Sequence, residues 1–147
     1  MAHYIPRVAV TLVREGRVTV DSPLMTSPEA VATLLHAHCG LADREHFVAV
    51  LLDVNQRAIG IHTVSIGALS EAIVHPREVF KAALLANAAG MIVGHNHPSG
   101  DLTVTNDDIA TTVRLMEAGA LLGVPVLDHL IIGGDGLYLS LREAGAV

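Results

Sequence analysis

The sequence predicts an α/β fold in which a mixed β-sheet is sandwiched by helices. Three observations lead there. Apolar runs of strand length alternate with segments whose apolar residues recur at helical spacing. Several successive runs are joined by turns too short to hold a helix, which favours a mixed sheet over a purely parallel one. Just over half of the residues are apolar (51%) and only 16% are charged, enough for one sizeable core and too apolar for a disordered chain.

Taken in order, residues 8–13 read as a strand, and Glu15-Gly16 turns the chain toward a second at 17–20. Ser27-Pro28-Glu29 opens a helix, with serine as N-cap, proline at the first position and an acid in the first turn. Val31, Leu34, Leu35 and Cys39 then recur at helical spacing, and Gly40 stops the run. Residues 46–53 are nearly all apolar, as in a central strand buried on both faces. A hairpin-type turn at 54–57 leads to a strand at 58–65. Pro76 opens a second helix, expected to run to about residue 89 and to stop at Gly90. Residues 91–95 form a short buried strand. Thr105 caps a third helix that reaches about Leu122, with Asp107 and Asp108 in its first turn, where the helix dipole favours anions. A strand at 124–132, a glycine-rich turn at 133–136 and a returning strand at 137–140 complete the chain. One domain spanning residues 1–147 is expected, its core running from about 27 to 147.

Charge and cysteine content narrow the function. Fifteen acidic residues against nine basic ones give a formal charge of −6. Nucleic-acid binding depends on neutralising phosphates with Lys and Arg. A net acidic chain whose single lysine is Lys81 is poorly suited to it. The one cysteine, Cys39, excludes an intrachain disulfide and fits a reducing compartment. Cys39 also lies on the apolar face of its helix, as an inert core residue would. The N-terminal residues lack a signal-peptide core, and no apolar run approaches the about 20 residues of a membrane span, so a cytoplasmic protein is expected.

The chemistry concentrates in His95-Asn96-His97-Pro98. Two histidines two residues apart on a strand project to the same side. Side by side they begin a zinc site, which a carboxylate would complete, leaving a fourth position for water. They end an apolar strand and enter a loop, a usual location for a site. Asp101, Asp107 and Asp108 all compete for the acidic position, and spacing does not choose among them. Asp128-His129 reads equally as a pair orienting a ligand or as a hydrogen-bonded pair within a strand. His36 and His38 read as surface residues, and the glycines at 133, 134 and 136 as a turn.

The segment resembles the JAMM/MPN (JAB) zinc metalloprotease superfamily, whose signature is His-x-His-Pro, then Ser or Thr, two residues, and Asp. It maps here onto His95, His97, Thr105 and Asp108. The longer string His-Asn-His-Pro-Ser-Gly-Asp is similar to the RadC-like branch. So are Arg44-Glu45-His46-Phe47, His75-Pro76-Arg77-Glu78-Val79-Phe80 and Asp128-His129-Leu130-Ile131-Ile132-Gly133. The resemblance implies an MPN/JAB, cytidine-deaminase-like architecture, without the N-terminal helical region of longer RadC-like proteins.

It also implies one zinc ion per chain, held by His95, His97 and Asp108. Glu45 would be the general base, a position that local reading alone gives to a surface acid, with Glu29, Glu71 and Glu78 as rivals. Thr105 would donate to the developing oxyanion or else serve as a helix cap. The implied activity is hydrolysis of a peptide or isopeptide amide by a zinc-activated water, with a peptide or protein as substrate. A DNA-repair-associated metal-dependent nuclease and a non-catalytic MPN scaffold are the alternatives. The loop at 67–75 is a possible cover for the site.

Overall fold

The computed structural model describes residues 1–67 and 74–147. The first helix, α1 (Pro28–Cys39), starts where Ser27 Oγ accepts from the Ala30 N–H. It buries Val31, Leu34, Leu35 and Cys39. Two antiparallel strands follow, β1 (His46–Leu52) and β2 (Ala58–Ile66). Asp53 shapes the turn between them, its Oδ1 accepting from the N–H groups of Asn55 and Arg57. β1 is buried from Phe47 onward, whereas β2 is half exposed and lies at the sheet edge.

The second helix, α2 (Pro76–Leu85), ends earlier than the expected stop at Gly90. Asn87 adopts the left-handed conformation (φ 52°), which closes the helix through Asn87 N–H to Leu84 C=O and Ala88 N–H to Ala83 C=O. Asparagine thus performs the stop that glycine more often provides. The strand β3 (Gly90–Asn96) is buried throughout. It is joined through α3 (Asn106–Leu122) to β4 (Val126–Ile132), and the short β5 (Tyr138–Ser140) returns beside β4.

The five strands are ordered β2-β1-β3-β4-β5, and β3 and β4 are the one parallel pair among the described strands. Alternation along the strands divides the core between the two faces. Phe47, Ala49 and Leu51 of β1 and Met91 and Val93 of β3 pack with α2 and α3 residues such as Val79, Phe80 and Leu115. Val48, Val50 and Leu52 face the other way with Ile92, Leu130 and the buried side of α1. Gly94 permits that second packing, because a Cβ there would lie 2.5 Å from Leu35 Cδ1 and 3.2 Å from the Leu130 carbonyl oxygen.

The strands expected at 8–13 and 17–20 are absent; residues 1–20 carry no strand pairing. Val8, Val10 and Val13 are exposed, and Val18 and Val20 alone in that stretch pack against the core. Alternating apolar residues make a strand only where a partner edge and a face to bury are supplied, and a lone two-stranded hairpin is marginal in water. None of the helices in the described part of the chain is long and apolar enough to cross a membrane.

This topology places three backbone ends at one end of the sheet. The C-terminal end of β3 lies beside the start of β1, because the two strands are antiparallel. The loop after β3 then sets the N-terminus of α3 at the same end, where Asp108 meets His95.

Candidate metal centre

His95 is the sixth residue of β3 and shares a face with Met91 and Val93, which buries it completely. Phe47 stacks against its ring, with centroids 6.4 Å apart. His97 lies just beyond the strand, its N–H donating to the Ile132 carbonyl at 2.9 Å. The two imidazoles meet as their spacing predicts, with Nε2 atoms 2.9 Å apart. The loop after Pro98 folds back on His97: the Gly100 N–H donates to the His97 carbonyl, and Gly100 takes φ 83°, open to glycine at little cost.

That fold-back puts the Asp101 carbonyl 2.6 Å from His97 Nδ1. A carbonyl oxygen only accepts, so Nδ1 carries the proton and Nε2 of neutral His97 is a bare lone pair. Asp101 therefore enters the site through its backbone. Its carboxylate is engaged by the Thr103 hydroxyl and N–H, and that bonding holds its pKa below the usual range.

Asp108 is chosen over its rivals by helix geometry. It is the third residue of α3 and closes a capping box with Thr105. Its Oδ2 accepts from the Thr105 N–H at 2.9 Å, and its N–H donates to Thr105 Oγ1 at 3.1 Å. Oδ1 is left 3.6 Å from His95 Nε2. Asp107, one residue earlier on the helix, is exposed at the rim. One ligand atom from each of His95, His97 and Asp108 can be chosen so that all lie within 4.8 Å of one another. This set of two imidazoles and a carboxylate suits zinc.

Glu45 arrives by way of a residue that sequence reading passed over. Asn96, between the two histidines, points to the opposite side and is buried. Its Nδ2 donates to the Arg44 carbonyl at 2.9 Å, and its Oδ1 accepts from the His46 N–H at 2.6 Å. One side chain thus grips the backbone on both sides of Glu45. The Gly67 N–H donates to the Glu45 carbonyl as well. The result is a cavity of about 180 Å³ lined by Glu45, Phe47, His97, Thr105, Asp108 and His129, among others. The bond that Thr105 Oγ1 accepts from Asp108 uses a lone pair and not the hydroxyl proton.

Behind the cavity, His129 is wholly buried on β4 and spans two partners. Its Nε2 is 2.7 Å from His95 Nδ1, and its Nδ1 is 2.6 Å from Thr112 Oγ1. Thr112 in turn donates to the Asp108 carbonyl, one helical turn back. Burial lowers the pKa of His95 to about 4, with Asp108 opposing the shift and His97 adding to it. Burial is also the main reason that His129 falls well below the ordinary histidine range. The only sequence signal for Thr112 is its place four residues after Asp108, on the same helix face.

Asp128 does not reach the histidine rings. Its carboxylate accepts from the Ser140 hydroxyl and from the N–H groups of His129 and Arg142, tying β4 to β5 and the turn after it. His36 and His38 lie elsewhere, bonded to the Leu137 carbonyl and the Thr63 hydroxyl. Cys39 is buried core, its thiol pushed up to about 11 by burial. Of the loop at 67–75 named as a possible cover, residues 68–73, Glu71 among them, lie outside the described residues; Val74 lines the cavity.

The RadC-like JAB domain family matches residues 25–146. A UPF0758 protein of Caldanaerobacter subterraneus is 52% identical over 121 residues, 82% of this chain and 52% of that protein. One from Desulfitobacterium hafniense is 44% identical over 135 residues, covering 88% of this chain and 59% of its own length. A third, from Methanosarcina mazei, is 44% identical over 138 residues, or 92% of this chain and 60% of that protein. The chain therefore spans between one half and three fifths of the length of these relatives.

Proposed function

The chain belongs to the RadC-like JAB domain family, and on that premise we propose that it is a zinc-dependent hydrolase of peptide or isopeptide amides. The family is compatible with a metal-dependent hydrolase. The metal, the bond cleaved and the residue roles are the further reading. One observation carries it. The Nε2 atoms of His95 and His97 converge at 2.9 Å, with Asp108 Oδ1 3.6 Å from the first of them. Lone pairs so arranged are stable only around a cation, whether a proton or a metal ion. Two imidazoles and a carboxylate are a donor set that zinc accepts, with a coordination position left over.

Bound there, zinc would supply Lewis acidity, polarising a carbonyl oxygen and lowering the pKa of water towards about 7. The chain's own residues supply the rest. Glu45, gripped at both flanks by Asn96, takes the proton of the attacking water and delivers it to the leaving amine. Thr105 offers its hydroxyl proton to the developing oxyanion. Phe47 and the α3 terminus wall the cavity and limit bulk water. The formal charge of −6 favours a peptide over a polyanionic nucleic acid.

Titration of the purified, chelator-treated chain with zinc tests the reading. We expect one ion per chain, lost in His97→Ala. Glu45→Gln should keep the zinc and lose at least about a hundredfold in turnover of an isopeptide-linked substrate, the scale of general acid-base catalysis. A folded wild-type chain that takes up no zinc would overturn the proposal.

A further inference from the structure

We propose that Thr112 and His129 form a positioning relay that keeps the proton of His95 on Nδ1, and so turns its Nε2 lone pair toward the metal. The inference rests on the metal-centre reading for its purpose, though not for its geometry.

The argument follows single protons. Thr112 Oγ1 lies 2.6 Å from the Asp108 carbonyl oxygen. Two oxygens that close repel unless a proton stands between them, and a carbonyl has none to give. The one hydroxyl proton of Thr112 is therefore spent on Asp108. Thr112 Oγ1 is also 2.6 Å from His129 Nδ1, and with its proton committed it accepts there, so His129 carries its proton on Nδ1. His129 is 0% exposed, and its two ring nitrogens face a hydroxyl and a second imidazole, with no carboxylate on either. A buried imidazolium without a counter-charge is costly, so His129 is neutral and its Nε2 is an acceptor. The atom 2.7 Å away, His95 Nδ1, must then be the donor.

The relay has a second property. Its anchor is the carbonyl of Asp108, whose carboxylate is itself part of the metal centre. One residue thus contributes a ligand from its side chain and, through its backbone, orients a second ligand. His97 has a simpler device for the same end, its Nδ1 proton held by the Asp101 carbonyl. Both imidazoles are locked in the tautomer that presents Nε2, each by its own partner. Partners of this kind on metal-binding histidines contribute 10- to 100-fold in metal affinity.

The test reads protons before it reads metal. Long-range 1H–15N correlation spectra of the metal-free chain identify which imidazole nitrogens carry hydrogen. In the wild type, His95 and His129 should both be protonated on Nδ1, with His129 Nε2 bare. Thr112→Val, close in size and without a hydroxyl, strands the His129 Nδ1 proton and should move it to Nε2. His95 Nδ1 then becomes an acceptor. Zinc affinity, measured by competition with a chromophoric chelator, should fall 10- to 100-fold. Thr112→Ser should restore both the nitrogen pattern and the affinity, which a purely space-filling role would not require. A wild-type His95 without hydrogen on Nδ1 overturns the relay, and so does a folded Thr112→Val chain with wild-type tautomers and affinity. A wild type with the expected tautomers and no zinc affinity refutes the metal-centre reading and leaves the relay standing.

Discussion

Thr105 shows how one side chain can serve both stability and chemistry. Its oxygen accepts the Asp108 N–H as a helix cap, while its proton stays available to the cavity. Thr105→Ala should therefore cost about 1 kcal/mol of stability, read as a shift in the urea midpoint. It should also lower kcat by about a hundredfold if the hydroxyl meets the oxyanion. Thr105→Ser should lose neither. Unchanged kcat in the alanine variant would reduce Thr105 to a cap. At this scale much of the site could be read in advance. Histidines two apart on a strand share a side whatever the fold, and the family pattern singles out Asp108 and Glu45. The choice of Asp108 over Asp101 has a local cause that spacing could not express. The loop turns Asp101's carbonyl, and not its carboxylate, toward His97. Thr112 and Asn96 escaped notice because threonine in a helix and asparagine in a strand have many ordinary uses, and only their partners distinguish them.

Elements meet at Gly94, where α1 lies so close to β3 that a methyl group would overlap the Leu35 side chain. Gly94→Ala should destabilise the chain by about 1–3 kcal/mol, the usual cost of overpacking. Leu35→Ala alone opens a cavity and should cost about 2–5 kcal/mol. Because the second change makes room for the first, the double variant should lose less than the sum of the two in chemical denaturation. Full additivity would mean that Leu35 is not what limits the approach. Most elements were legible: caps at Ser27 and Thr105, prolines in the first turns of α1 and α2 and the nearly all-apolar β1 all say where structure begins. Element ends were harder. The expected stop of α2 at Gly90 gave way to Asn87, because a residue in the left-handed region ends a helix whichever side chain it bears. The two strands expected within residues 8–20 have the right alternation and no partner, and pairing is not a property of a single segment.

At the scale of the whole molecule, the site belongs to one end of the sheet and not to any element, and the N-terminal extension stands apart from it. Residues 1–17 are exposed, so a chain beginning at Val18 should keep its melting temperature and its zinc stoichiometry. A clear drop in melting temperature would show that the segment stabilises the fold. By itself the sequence determined the α/β class, most of the strands and helices, and the pair of histidines with three candidate acids, because periodicity, capping and short-range spacing act within a few residues. Only the tertiary structure brought the carboxylate of Asp108, already singled out by the family pattern, to within 3.6 Å of His95 and set His129 and Thr112 behind it. It also brought a glutamate some fifty residues upstream to the same cavity. Those outcomes depend on antiparallel β1 and β3 and on α3 starting at the same end of the sheet, and the bonds from His129 to Thr112 and His95 and from Asn96 to the backbone beside Glu45 span 17 to 52 positions.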